Sequence, residues 1–145
     1  MSPVALIWLT VGPFFTKMAF HLPIRCTMDQ LLAAVDLGSN SFRLSITRIV
    51  QNDNSVQIYA TDRLKETVRL AAGLNADRVL DEDAIQRAIA VLSRFGERLE
   101  NFPAGRVRAV ATNTFRVARN VADFLPRAEA ALGYPIEVIS GQEEA

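Results

Sequence analysis

The sequence predicts an α/β fold: a mixed five-stranded sheet with flanking helices. Three observations carry that expectation. Residues 31–36, LLAAVD, form a continuous apolar run ending in an acid, the pattern of a strand buried on both faces. Residues 42–50 and 56–64 alternate apolar and polar on either side of the loop QNDNS, as half-buried hairpin strands do. Further on, one long amphipathic stripe separates them from two short apolar runs, 107–112 and 136–140.

Each element has a local cause. In FRLSITRIV, Phe42, Leu44 and Ile46 alternate with Arg43, Ser45 and Thr47. Gly38-Ser39-Asn40-Ser41 is a turn cluster between the first two strands. Residues 66–80 lack a clean period and read as a surface excursion with a short helix. Asp81-Glu82-Asp83 suits the positive end of a helix, with Asp81 as N-cap. The apolar stripe Ile85, Ala88, Ile89, Leu92, Phe95, Gly96, Leu99 then fits a helix over 82–101. Pro103-Ala104-Gly105 stops it. NTFRVARN (113–120) suggests a short helical turn. Asn120 is placed to cap a helix over 121–133, with Pro126 near its first turn and Gly133 as its stop. Strands are expected at 31–37, 42–50, 55–63, 106–112 and 136–140. The order strand-strand-strand-helix-strand-helix-strand matches the ribonuclease-H-like arrangement found in actin-type ATPases. A hairpin followed by βαβ-type crossovers makes the sheet mixed.

Composition narrows the chemistry. Sixteen Lys and Arg balance sixteen Asp and Glu over 145 residues, so a strongly basic nucleic-acid binder is disfavoured. One Cys (Cys26) and one His (His21) exclude disulfide frameworks, Cys/His zinc sites and Ser-His-Asp catalysis. What remains is carboxylates, backbone amides, arginines or a hard metal. Both Cys26 and His21 lie in residues 1–27, an apolar stretch broken by Pro3, Gly12 and Pro13. It is too short for a membrane span of about 20 apolar residues and lacks the basic start of a signal peptide. The expectation is a leader over 1–27, non-native or disordered, with Met28 as the true start and a lobe over 28–145; a targeting or membrane-surface segment and an extra piece of the fold are the alternatives for 1–27. No membrane partner and a cytoplasmic location are expected.

Two places could do chemistry. Asp36 ends a buried strand and is followed by Gly38, Ser39, Asn40 and Ser41. Successive amides in such a turn can form an anion nest, and Asp36 is suited to hold hydrated Mg²⁺ against a bound phosphate. A plain hairpin turn with Asp as a turn residue accounts for the pattern equally well. At Ser140-Gly141-Gln142-Glu143 a capping-box spacing explains Glu143. Glu144 has no such explanation: it is either a solvated first-turn acid or a carboxylate able to orient water. Positive patches at Arg106, Arg108, Arg116 and Arg119, and at Arg63, Lys65 and Arg69, would suit a polyphosphate or be solvated faces.

AAVDLGSNSFRLSI, DRLKETVRLAAGLN, AVATNTFRVARNVADFL and YPIEVISGQEEA together resemble the N-terminal portion of the exopolyphosphatase / guanosine pentaphosphate phosphohydrolase (Ppx/GppA) family, from about Leu31 to Ala145. The resemblance implies the actin-type ATPase fold, N-terminal lobe only. It also implies Mg²⁺-dependent hydrolysis of a terminal phosphoanhydride, in inorganic polyphosphate or guanosine pentaphosphate. By resemblance the first phosphate motif falls on Asp36 to Ser41, the catalytic glutamate on Glu144 and a channel arginine on Arg116. Arg43 stands where many members carry His or Arg. The family's D-I-G-G-G-S second phosphate loop does not occur in these 145 residues, so the chain alone is expected to be inactive. A non-catalytic phosphate- or nucleotide-binding fragment is the alternative, and a homodimer is one option for the full-length protein.

Overall fold

The computed structural model describes residues 4–11, 16–23, 28–52 and 55–140. Five strands form the main sheet: β3 (Met28–Leu37), β4 (Ser41–Asn52), β5 (Ser55–Thr67), β6 (Val107–Ala111) and β7 (Ile136–Val138). Their order across the sheet is β5-β4-β3-β6-β7. The β3–β4 and β4–β5 pairs are antiparallel, whereas β3–β6 and β6–β7 are parallel. The mixed sheet expected from the sequence is therefore present. It places the carboxyl ends of β3, β6 and β7 side by side, the edge where ligands of such sheets bind.

Helix α1 (Glu82–Leu99) starts as its sequence requires: the Asp81 carboxylate accepts from the Ala84 amide at 2.6 Å. Its buried face, including Ile85, Leu92, Phe95 and Leu99, packs with Val35, Leu37, Phe42 and Leu44 of the sheet. Helix α3 (Val121–Leu132) adds Phe124, Ala128 and Leu132 to the same core. Gly96 lets the two helices touch: a Cβ there would lie 2.7 Å from the Ala131 carbonyl oxygen. On the other sheet face Leu32, Ala34 and Val110 are buried as well. This explains why LLAAVD shows no alternation.

Three local expectations are corrected. Residues 66–80 are a surface excursion only in part, and the short helix expected there is present as a 3-10 turn. Strand β5 runs on to Thr67, Val68 and Leu70 are buried, and a 3-10 turn spans Leu70–Gly73. The backbone changes conformation every few residues there, so no single period marks the buried positions. Asn120 does not cap α3 with its side chain. Its amide instead clasps Leu80, accepting from the amide and donating to the carbonyl, both at 3.0 Å. Pro126 lies inside α3, in its second turn rather than its first.

Within the stretch read as a leader, β1 (Val4–Val11) and β2 (Thr16–Pro23) pair antiparallel in a two-stranded sheet of their own. Two apolar runs flanking Gly12-Pro13 are compatible with that pairing. Arg108, on β6 between β3 and β7, donates from Nη1 to the Ala19 carbonyl at 2.9 Å. Among the described residues no helix is long and apolar enough to cross a membrane.

Candidate phosphate-binding site

Asp36 is half-buried near the end of central strand β3, opposite Arg43 on β4 and Val110 on β6. The chain then turns within three residues. Gly38 donates its amide to the Ser41 carbonyl at 3.2 Å, and a Cβ at Gly38 would stand 2.9 Å from that same oxygen. Only glycine fits so tight a return.

The loop's carbonyls are drawn to one side. The Asn40 oxygen accepts from the amides of Val68 at 2.9 Å and Arg69 at 2.8 Å. The Ser39 oxygen accepts from the Ala71 amide at 2.9 Å. Among the described residues no acceptor engages the amides of Ser39 and Asn40. With the carbonyls satisfied elsewhere, these N–H groups are left for an anion.

Behind the loop stands α2 (Asn113–Val117). Thr114, buried, donates from Oγ1 to the Ser39 Oγ at 2.8 Å. Ser39 keeps its own hydroxyl proton as a further donor. Phe115 anchors α2 by stacking on Phe124 at 5.1 Å between ring centroids. Arg116 reaches the end of β7, donating from Nη1 to the Ile139 carbonyl at 3.0 Å and from Nη2 to Asn113 at 3.3 Å. The structure thus brings the Asp36–Ser41 loop, α2 with Arg116, and the β7 exit to one edge. Ser140 is the last described residue. Glu144, and with it the capping role of Glu143, lies outside the described residues.

Among the positive patches, the arginines of 104–120 do not act as one group. Arg108 pairs with Glu137 at the β6–β7 edge, away from the loop. Arg119 lines a separate opening with Arg78 and Asp77. Thr114 had no individual signal in the sequence; a threonine in a short polar turn is compatible with many roles. Nor did Arg69 betray its backbone, since arginine is not a residue type that marks a left-handed turn. Among the described residues no cluster of three or more His, Cys, Asp or Glu could hold a metal ion.

A mixed sheet of this order, with a tight turn at the carboxyl edge of its central strand, defines an α/β lobe of the actin-type ATPase fold. Solved structures agree on the fold. A Ppx/GppA family member from Aquifex aeolicus is 31% identical and superposes with a TM-score of 0.68, over 80% of this chain and 37% of that one. An exopolyphosphatase from Cytophaga hutchinsonii is 27% identical with a TM-score of 0.69, over 78% of this chain and 35% of that one. The model of the Ppx/GppA phosphatase family matches residues 47–145, and the chain belongs to that family. A guanosine-5'-triphosphate,3'-diphosphate pyrophosphatase from Vibrio vulnificus is 51% identical over 115 residues, 79% of this chain. The chain spans 22% of the length of that curated relative.

Proposed function

We propose that this chain is the phosphate-binding lobe of a hydrolase that removes the terminal phosphate from inorganic polyphosphate or from guanosine pentaphosphate. One observation carries the reading. The carbonyls of Ser39 and Asn40 are tied back to residues 68–71, while their amides remain open at the carboxyl edge of the sheet. Open amides in a turn suit an oxyanion, and a phosphate presents several oxygens to such a nest. The names of the relatives, a pyrophosphatase of a guanosine polyphosphate and an exopolyphosphatase, support the same substrate class.

In this reading the open amides of Ser39 and Asn40, in the turn that Gly38 and Ser41 close, bind the terminal phosphate together with the Ser39 hydroxyl, which Thr114 holds. Arg116, fixed by Ile139, screens the developing charge. Glu144 positions the attacking water. Asp36 fits a hydrated Mg²⁺, because that ion uses one or two carboxylates and completes its shell with water and phosphate oxygens. When bound, Mg²⁺ would neutralise charge on the transferring phosphoryl group. Catalysis of this kind is positioning and charge stabilisation.

Phosphate release from long-chain polyphosphate and from guanosine pentaphosphate, set beside binding of each, tests the proposal. Binding that Ser39→Ala weakens, together with release of orthophosphate, supports it. Binding without release would favour a non-catalytic phosphate- or nucleotide-binding module. Absence of both sinks the reading.

A further inference from the structure

Arg69 adopts φ 53° and ψ 46°, the left-handed conformation that β-carbon sterics disfavour for every residue except glycine and, locally, Asn or Asp. Two links of the phosphate loop hold it there. Its own amide donates to the Asn40 carbonyl at 2.8 Å, and the amide of Ala71, two residues on, donates to the Ser39 carbonyl at 2.9 Å. Strain of this sort survives only where surrounding contacts impose it, and it gathers at functional sites.

The charge around it is uneven. The arginines of α1 are all engaged with this stretch: Arg87 with the Val68 carbonyl at 3.3 Å, Arg94 with Glu66 at 3.2 Å and Arg98 with Asp62 at 2.9 Å. Arg69 is exposed, and among the described residues no acidic group or carbonyl engages its guanidinium. Just before it, β5 sets Lys65 directly opposite Arg43, two like charges facing across the ladder. Asp36 faces Arg43 from β3 and offsets part of that repulsion, so the row holds two cations to one acid, a balance that a polyanion would complete.

We infer that Arg69 is a substrate-binding cation at the rim of the loop, taking phosphate units behind the one seated over Asp36–Ser41. The inference rests on the phosphate reading of that loop. It gives the left-handed arginine a reason: its backbone fastens the loop, and its side chain extends the site from one phosphate to a chain of them. Arg69 thereby separates long polyanions from orthophosphate.

The test measures binding of two probes, orthophosphate and inorganic polyphosphate of defined length, to the 145-residue chain and to Arg69→Gly and Arg69→Ala. Both variants should lose about tenfold in polyphosphate affinity, the value of one charge-assisted phosphate contact. Both should hold orthophosphate within about twofold. Arg69→Gly should nevertheless melt ~2–4 °C above Arg69→Ala, because only glycine relieves the left-handed cost. Unchanged polyphosphate affinity in both variants overturns the role of Arg69 alone. So does a parallel loss for both probes, which would mean a distorted loop. If the unaltered chain binds neither probe, the functional reading of the loop falls and the inference falls with it.

Discussion

Thr114 and Ser39, 75 residues apart in the chain, meet hydroxyl to hydroxyl at 2.8 Å. This bond joins the start of α2 to the middle of the phosphate loop. It makes the loop's best side-chain donor depend on a helix that also carries Arg116.

Thr114→Val keeps the shape and removes the donor. The half-buried Ser39 oxygen then loses one partner but retains access to the loop's mouth. Stability should fall by about 1 kcal/mol, the usual cost of one hydrogen bond. Orthophosphate affinity should fall several-fold in calorimetric titration. Unchanged affinity would show that the Ser39 hydroxyl is not a ligand.

Acid should weaken the contact between α1 and α3 in a defined window. The Arg127 guanidinium and the Gln86 amide both donate to Glu82 and lower its carboxyl from the ordinary 4.5 to about 2. A carboxyl depressed in the folded state stabilises above its unfolded value and loses that contribution as pH falls toward the folded one. Glu82→Gln should therefore melt lower than the parent at pH 6. The gap should close as pH drops from about 4.5 to 2. Both side chains are solvent-exposed, so the gap is small, and high salt should shrink it. A gap that widens in acid contradicts the assignment.

Much of this architecture is legible in the chain itself. The strand ending at Asp36 follows from an unbroken apolar run and the one starting at Phe42 from alternation, and Asp81 marks the start of α1 chemically. Legibility stops where long-range contacts decide. Val68 and Leu70 are core residues in a segment of no fixed period, since the loop carbonyls of Ser39 and Asn40 dictate their backbone. Asn120 looks like a cap locally but is recruited by Leu80, forty residues away. At the site, the motif Asp36–Ser41 could be read as a phosphate nest or as a plain turn. The outward pull on its carbonyls favours the nest, and that pull comes from residues no local pattern connects to it.

The adjacent acids Glu143 and Glu144 separate stability from turnover. In a chimera with this chain in place of the matching segment of the Vibrio vulnificus relative, Glu143→Gln should cost on the order of 1 kcal/mol, as helix caps do. Glu144→Gln should leave melting unchanged and cut phosphate release ~10²–10⁴-fold, the range of a general base. If the two variants exchange effects, the catalytic acid is one residue earlier. If neither alters release, the hydrolytic mechanism fails.

The function proposed above depends on phosphate binding by the open amides of Ser39 and Asn40. An NMR titration of the ¹⁵N-labelled chain with inorganic phosphate, with and without Mg²⁺, addresses it residue by residue. Saturable amide shifts are expected at Ser39 and Asn40, weaker ones at Thr114, and a Mg²⁺-dependent gain that Asp36→Asn abolishes. Shifts confined to the separate opening at Arg78 and Arg119, with Ser39 and Asn40 unmoved, would contradict it.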